Sequence, residues 1–225
     1  MKEPTNNPTS ADTNLIVASI FCSIQGESTT QGELTSFIRL SGCNLDCTYC
    51  DTKWSHNEGT KMSLQEIITS VEKYQVKYVT VTGGEPLLQE NCLKLLSALA
   101  KKGFETSLET NGSIDLSEID QDIRIIMDLK CPDSAMEKHN NLANIEKLKE
   151  KDELKFVLSS EIDYKWAKEI ISRFNLSEKC KILMSPIWGK MSFRNLAELI
   201  LRDKLNVRLN LQLHKIIWGD DENEH

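Results

Sequence analysis

The sequence of this 225-residue chain lacks long apolar runs, an excess of positive charge and a regular cysteine framework. No stretch approaches the roughly 18 consecutive apolar residues that a membrane span needs, so no contact with a membrane is expected. The formal net charge is −7, and without clustered Lys and Arg the chain is not expected to bind nucleic acid. A small-molecule partner is favoured instead.

The cysteines do not suit a secreted disulfide protein. There are seven of them, an odd number, and three lie within eight residues while Cys22, Cys92, Cys131 and Cys180 are scattered. We interpret the scattered four as small buried hydrophobic residues. Residues 1–12 have neither the apolar core of a signal peptide nor the arginines of a transit peptide, which indicates a cytoplasmic protein.

The domain organisation follows from length and composition. With 40% hydrophobic residues, the chain is long enough for one sizeable core and too short for two full domains. We predict a disordered tail over 1–12, one domain over 13–219 and a polar C-terminal tail over 220–225.

Strands are predicted to alternate with helices along the chain, which is typical of a largely parallel sheet. The predicted strands are 15–21, 36–40, 78–82, 106–109, 124–129, 154–158, 181–184 and 207–213, and the predicted helices are 64–74, 87–101, 144–149, 164–173 and 193–201. Ser63 and Glu66 form a capping box for the first helix. Such strands form either an open sheet or an incomplete barrel, with ligands at their carboxyl ends.

Three cysteines after the second predicted strand are the main chemical signal. Cys43, Cys47 and Cys50 have x3 and x2 spacing, so their thiolates can converge. Iron–sulfur clusters usually have four Cys ligands, and the lack of a fourth one nearby would leave one iron open to bind a substrate or cofactor. The alternative is a structural zinc site with His56 as fourth ligand.

A glycine-rich turn follows the third predicted strand. Gly83 and Gly84 allow a ligand to approach the backbone closely, and Glu85 offers negative charge to an ammonium group. Taken alone, Gly83 to Pro86 could equally be ordinary punctuation between a strand and a helix.

Together these motifs resemble a known superfamily. Cys43-x3-Cys47-x2-Cys50, with Tyr49 before the last cysteine, and Thr82 to Pro86 resemble the signature of radical S-adenosylmethionine enzymes. Further segments are similar to the 7-carboxy-7-deazaguanine synthases, and they are Phe21 to Ser28, Phe37 to Leu45, Cys50 to Thr52, Glu109 to Gly112 and Leu211 to Lys215.

This resemblance implies a fold and a reaction. The fold is a single-domain α/β incomplete TIM-like barrel of mostly parallel strands with helices outside. The reaction is the radical conversion of 6-carboxy-5,6,7,8-tetrahydropterin to 7-carboxy-7-deazaguanine with loss of ammonia, in queuosine and deazapurine biosynthesis. A reduced [4Fe–4S] cluster cleaves S-adenosylmethionine, and a 5′-deoxyadenosyl radical then removes hydrogen from the substrate.

The resemblance also implies the site residues. The cluster ligands are Cys43, Cys47 and Cys50, and Thr52 matches a Mg²⁺ position. S-adenosylmethionine contacts are implied for Tyr49, Cys50, Asp51, Gly84, Asp128, Leu129, Lys130, Ser185, Pro186, Ile187 and Trp188. Asp128-Leu129 and Ser185 depart from the more common wording, Ser-Pro and Gln, at their positions. Substrate contacts are implied for Ile24, Gln25, Gly26, Arg39 and Thr82.

Alternatives accompany several of these assignments. Arg39 suits a carboxylate but could form a surface salt bridge, and Thr82 could be ordinary strand packing. His214 fits a histidine near the substrate or a core residue on an apolar strand. The rival functions are a glycyl-radical activase and a zinc-stabilised binding module without turnover.

The family resemblance implies a homodimer and an electron donor such as flavodoxin.

Overall fold

A single sheet of nine strands is the framework of the computed structural model, which describes residues 13–219. The predicted tails, 1–12 and 220–225, lie outside the described residues. The strands are β1 (Asn14–Ile24), β2 (Leu34–Leu40), β3 (Thr60–Ser63), β4 (Tyr78–Gly83), β5 (Glu105–Thr110), β6 (Arg124–Leu129), β7 (Glu153–Leu158), β8 (Lys181–Pro186) and β9 (Arg208–Leu209).

The strand order is β3-β1-β2-β4-β5-β6-β7-β8-β9. β1 is antiparallel to both β2 and β3, and every other neighbouring pair is parallel. Within the described residues β3 and β9 do not pair, so the sheet is not a closed barrel. It has the α/β architecture of the predicted incomplete barrel.

Five α-helices accompany the sheet, and none in the described range is long and apolar enough to cross a membrane. The helices are α1 (Leu64–Glu72), α2 (Cys92–Lys101), α3 (Glu161–Arg173), α4 (Phe193–Asp203) and α5 (Leu213–Trp218). Short 3-10 helices occur at Lys53–His56, Pro86–Leu88, Pro132–Ser134, Glu137–His139, Leu142–Lys147 and Leu176–Glu178. The capping box of α1 is present, because Ser63 and Glu66 bond each other's backbone N–H groups.

The two faces of the sheet differ in chemistry because side chains alternate along each strand. Val79 and Val81 of β4 are buried with the apolar residues of α1 and α2, and Leu154 and Phe156 of β7 are buried with those of α3 and α4. The opposite side, here called the inner face, carries polar residues from six parallel strands. These are Arg39, Thr80, Thr82, Ser107, Glu109, Asp128, Glu153, Lys155 and Ser185.

Two helix predictions were wrong in detail. The helix expected from residue 87 begins at Cys92, because Pro86–Leu88 forms a 3-10 turn and the Gln89 side chain bonds the backbone N–H and C=O of Ile16 at 2.8 and 2.9 Å. The segment expected as a helix over 144–149 is a 3-10 helix over Leu142–Lys147. Its buried Asn144 donates to the carbonyls of Gly112 and Ile114 and is thereby committed to the preceding loop.

The strand predictions failed at the two edges of the sheet. β3 was missed because its four residues, Thr-Lys-Met-Ser, carry little apolar signal. The strand expected over 207–213 is only Arg208–Leu209, because the Leu213 N–H bonds the Gly26 carbonyl at 2.9 Å and the chain turns into α5. His214 therefore lies on a helix and not on an apolar strand.

Candidate active site

The cysteine loop and the glycine-rich turn meet at the carboxyl ends of β2 and β4. Gly84 donates to the Leu40 carbonyl at 3.2 Å, and Glu85 donates to the Gly42 carbonyl at 2.8 Å. A Cβ atom added at Gly84 would lie 2.1 Å from the Gly42 oxygen and 2.8 Å from the Cys43 Cβ. Only glycine allows the two loops to approach this closely.

The three thiols of the loop share one electrostatic environment. Cys47 is buried, Cys43 and Cys50 are partly exposed, and the Cys50 N–H bonds the Cys47 carbonyl at 3.3 Å. Burial raises the pKa of the Cys43 and Cys47 thiols, the charge of Cys50 raises it further, and the nearby ammonium of Lys130 opposes the increase. The Lys130 ammonium can therefore offset part of the negative charge that thiolate ligands would carry.

Two further side chains, Thr52 and His56, lie close to the Cys50 thiol. Across residues 13–219, no three His, Cys, Asp or Glu side chains surround one point closely enough to hold a metal ion. His56 Nε2 lies 3.9 Å from Cys50 Sγ, and Thr52 Oγ1 lies 3.7 Å from the same sulfur. The three thiols are the soft ligands that an iron–sulfur cluster takes. His56 lies beside Cys50, as the zinc alternative requires.

Glu85, which is predicted to offer negative charge to an ammonium group, accepts hydrogen bonds from the protein itself. Its carboxylate is fully buried and accepts hydrogen bonds from Leu87 N, Thr110 Oγ1 and Asn111 N at 3.0, 2.9 and 2.7 Å. Burial raises the pKa of this carboxyl, and the donors oppose that effect. The group thereby ties the glycine turn to the end of β5.

The segment Glu109 to Gly112, with the neighbouring Ser113, is bonded to the cysteine loop. Asn111 donates to the Asn44 side chain at 3.0 Å, and Asn44 donates to Ser113 at 2.9 Å. Three segments that are far apart in sequence are thus held together at one end of the sheet.

Three residues predicted to bind S-adenosylmethionine have an unsatisfied buried polar group. The Tyr49 hydroxyl, Asp128 Oδ1 and Ser185 Oγ are buried with no hydrogen-bond partner among the described residues. A buried group left unpaired costs about 1–3 kcal/mol, so such groups call for a ligand or water. Three of the predicted contacts therefore have a polar atom with no partner among the described residues.

The remaining predicted cofactor contacts differ in exposure. Leu129 and Pro186 are buried, Ile187 is half-buried, and Asp51 and Trp188 are exposed. Lys130 bonds the Asp128 carboxylate at 3.2 Å. The buried Leu129 has its side chain in the core, which leaves its backbone as the part that a ligand can contact.

The predicted substrate residues lie on or beside the inner face. Arg39 and Thr82 are direct neighbours in the pairing of β2 with β4. The Arg39 guanidinium stands 5.8 Å from the Phe21 ring and 5.9 Å from the Trp54 ring, and Thr82 donates to Glu109 at 3.0 Å. A cation, a hydroxyl and a carboxylate are therefore grouped near the cluster loop.

The segment Ile24 to Gly26 lies where β1 ends. Ile24 is the last residue of that strand and is half-buried. Gln25 is buried and its amide donates to Thr80 Oγ1 at 3.4 Å, which directs it toward the inner face. A Cβ added at Gly26 would lie 2.1 Å from His214 Nδ1. His214 therefore packs against the predicted substrate segment, from helix α5.

Sequence reasoning gave no role to two charged residues near the predicted site, Glu27 and Lys155. Lys155 Nζ lies 2.6 Å from Glu27 Oε2 and 3.5 Å from Asp128 Oδ2. The alternation of Glu153 to Leu158 carried the signal, because it sets Glu153 and Lys155 on the face opposite to Leu154, Phe156 and Leu158.

The scattered cysteines are buried in three of four cases. Cys92, Cys131 and Cys180 are buried as expected, whereas Cys22 is only half-buried. Burial raises the pKa of Cys92 to about 12, so this thiol stays protonated near neutral pH.

Comparisons with known proteins agree with this geometry. A model of the Radical SAM superfamily matches residues 37–155. The 7-carboxy-7-deazaguanine synthase of Chlorobaculum tepidum is 42% identical over 215 residues, covering 94% of this chain and 98% of the relative. The 7-carboxy-7-deazaguanine synthase of Clostridium acetobutylicum is 42% identical over 217 residues, covering 93% and 98%. The crystal structure of QueE from Escherichia coli has the same fold, with a TM-score of 0.69 at 20% identity over 89% of this chain and 94% of that chain.

Proposed function

Because this chain belongs to the radical SAM superfamily and, within it, to the 7-carboxy-7-deazaguanine synthases, we propose that its site converts 6-carboxy-5,6,7,8-tetrahydropterin to 7-carboxy-7-deazaguanine with loss of ammonia. It is a radical enzyme of the lyase type, and its family implies a [4Fe–4S] cluster and S-adenosylmethionine as cofactors. The single observation that supports the site best is the direct packing of the cysteine loop on the glycine turn at Gly84.

The residues that would hold the cluster are Cys43, Cys47 and Cys50. When bound, the reduced cluster supplies the electron that cleaves S-adenosylmethionine into methionine and a carbon radical that abstracts hydrogen from the substrate. Lys130 stands beside the thiols and would offset their negative charge. The unpaired atoms of Tyr49, Asp128 and Ser185 would bind the cofactor. Asp51, Gly84, Leu129, Pro186, Ile187 and Trp188 complete the proposed cofactor contacts.

Substrate binding is proposed for the inner face next to the cluster. Arg39 would pair with the substrate carboxylate, and its position over two aromatic rings would orient the guanidinium. Ile24, Gln25 and Gly26 would match the pterin with backbone groups and an amide. Thr82 would contribute its hydroxyl, held by Glu109. This arrangement positions one C–H bond near the cofactor and excludes water.

Magnesium, the partners and the location complete the proposal. Thr52 would give its hydroxyl to Mg²⁺ next to the cluster, which its 3.7 Å distance from Cys50 Sγ supports. We also propose a cytoplasmic homodimer that takes electrons from a donor such as flavodoxin, with residues 13–219 as its one domain.

A product assay tests the function. The protein is reconstituted anaerobically with iron and sulfide, reduced, and incubated with S-adenosylmethionine, Mg²⁺ and 6-carboxytetrahydropterin while both products are followed by mass. We expect 5′-deoxyadenosine and 7-carboxy-7-deazaguanine together. Deoxyadenosine alone would contradict the substrate and favour an activase, and neither product with tightly bound zinc would favour a binding module.

Matched cysteine variants serve as controls in this assay. Cys43→Ala should lose the brown cluster and both products. Cys92→Ala removes a thiol that is buried in α2 and held protonated, so its iron content should equal that of the wild type. Equal iron loss in both variants would contradict the proposed ligand set.

A further inference from the structure

Lys155 joins two segments that the proposed function assigns to different ligands. Its ammonium lies on the inner face of β7 between two carboxylates, 2.6 Å from Glu27 Oε2 and 3.5 Å from Asp128 Oδ2. Glu27 directly follows the proposed pterin segment at Ile24 to Gly26. Asp128 begins the proposed cofactor segment Asp128 to Lys130.

The bridge is buried and continues toward the cluster. The side chains of Lys155, Glu27 and Asp128 are only 11%, 13% and 18% exposed. Lys130 bonds the same Asp128 oxygen at 3.2 Å and acts electrostatically on the Cys43 and Cys47 thiols. Negative and positive charges therefore alternate from the pterin segment to the cysteine loop.

Stability alone gives little reason for this arrangement. Removing charges from water costs as much as a buried ion pair regains, so such pairs are weak stabilisers compared with apolar residues of similar size. Glu27 and Asp128 repel each other, and the ammonium between them offsets that repulsion. Lys155 is therefore the cation that Glu27 and Asp128 share, and Asp128 is also paired with Lys130.

The two oxygens of the Asp128 carboxylate differ in their partners. Oδ2 bonds Lys155 and Lys130, whereas Oδ1 is buried and has no partner among the described residues. A ligand that donates to Oδ1 draws charge from Oδ2 and weakens the hold of Asp128 on Lys155. The ammonium then bonds Glu27 more strongly and holds the pterin segment more firmly, because such bonds are strong in a site of low dielectric.

We propose that Lys155 is a positioning residue that couples the binding of S-adenosylmethionine to the binding of the pterin substrate. The inference rests on the proposed function for the identity of the two ligands. Coupling of this kind is reciprocal, so each ligand tightens the binding of the other by the same factor.

Equilibrium binding on the holoenzyme tests the proposal. The dissociation constant of S-adenosylmethionine is measured anaerobically with the cluster oxidised and no reductant, so that no turnover occurs, with and without saturating 6-carboxytetrahydropterin. We expect the substrate to tighten cofactor binding by about fivefold or more in the wild type. The factor should fall to about one in Lys155→Met, and Lys155→Arg should retain part of it because the charge is kept.

A remote lysine provides the matched control. Lys168 of α3 bonds Asp203 at 2.5 Å on the helix side of the sheet, so Lys168→Met should keep the wild-type coupling factor. No coupling in the wild type, or a coupling factor unchanged in Lys155→Met despite weaker binding of each ligand, would overturn the proposal.

A second variant decides the matter if Lys155→Met fails to fold or if the pterin does not bind. Glu27→Gln keeps the shape of the side chain and removes its charge, so Lys155 should shift toward Asp128. We expect S-adenosylmethionine binding to change by about threefold or more, although Glu27 is not in the cofactor segment. An unchanged dissociation constant would overturn the coupling, whereas a wild type that fails to bind 6-carboxytetrahydropterin would count only against the proposed substrate.

Discussion

Gly84 shows how little space separates the two loops at the site. Because its added Cβ would meet the Gly42 oxygen at 2.1 Å, Gly84→Ala must push the cysteine loop away from the glycine turn. We expect a loss of about 1–3 kcal/mol in the free energy of unfolding, as for other overpacked positions, and a clear fall in iron per chain after reconstitution. Denaturant titration and iron analysis measure the two effects.

Gly103 separates a steric effect from backbone strain. It has φ of +90° but no atom within 4 Å of an added Cβ. Gly103→Ala should cost about 1 kcal/mol for its conformation while iron content stays at the wild-type level. Similar iron losses in both variants would contradict a specific contact at Gly84.

Glu85 is expected to act on stability because protein donors surround it. In Glu85→Gln the new amide N–H₂ must face donors from Leu87, Thr110 or Asn111, which should cost about 1–3 kcal/mol of unfolding free energy. Glu72→Gln is the control, because its carboxylate is an exposed partner of Lys102 and should matter by less than about 0.5 kcal/mol. Weaker S-adenosylmethionine binding in Glu85→Gln at unchanged stability would instead favour direct ammonium binding.

Helix α1 is an element whose start is encoded locally. Ser63 accepts from the Glu66 N–H at 3.3 Å, and Glu66 accepts from the Ser63 N–H at 2.8 Å. Ser63→Ala should lower the free energy of unfolding by about 1 kcal/mol without changing iron content, because the cap lies on the helix side of the sheet. A loss of iron in this variant would mean that α1 supports the cluster loop.

Helix α5 docks on the loop after β1 through a contact that one substitution can break. A Cβ at Gly26 would overlap His214 Nδ1, and the three atoms nearest to it all belong to His214. Gly26→Ala should therefore lower the melting temperature, at a cost of about 1–3 kcal/mol. The double variant Gly26→Ala, His214→Ala should regain part of that loss, because the imidazole is gone while the His214 Cβ remains 3.1 Å away.

The comparison with His214→Ala alone identifies this coupling between elements. If the two substitutions simply add, the clash is not what destabilises Gly26→Ala, and the docking of α5 on this loop would need another explanation.

Across the whole molecule, several carboxylates make the stability of the fold depend on pH. Hydrogen bonds from Arg202 and Lys168 hold the pKa of Asp203 well below its usual range, and Lys147 does the same for Asp115. A carboxyl with a folded pKa below its unfolded value stabilises the fold above about pH 4 and loses this contribution as pH falls through the folded pKa. We expect the urea midpoint to fall below about pH 4, which chemical unfolding at a series of pH values measures.

Two buried carboxyls act in the opposite direction. Burial raises the pKa of Glu85 and Glu153, so their contribution weakens as pH rises through their folded values. In Asp203→Asn the urea midpoint should fall less steeply below about pH 4 than in the wild type, because this variant lacks the carboxyl of lowered pKa. A urea midpoint that increases steadily toward pH 3 would contradict the balance proposed here.

The sequence by itself determined the local chemistry of this protein. The spacing of Cys43, Cys47 and Cys50, the turn at Gly83-Gly84 and the cap at Ser63 depend on residues that are close along the chain. The central parallel strands were also predictable, because burial on the helix side imposes an apolar period that reads directly from sequence. The predicted site residues could therefore be found from short motifs in the sequence.

Only the tertiary structure decided which distant groups meet. The bridge from Glu27 through Lys155 to Asp128 joins residues more than a hundred positions apart, as do the contacts between Gly26 and α5. The protein partners of Glu85 were not predictable either, because its neighbours in sequence do not reveal that Thr110 and Asn111 donate to it. Such contacts depend on strand order and register, which place polar residues from separate strands on one buried inner face where each must find a partner.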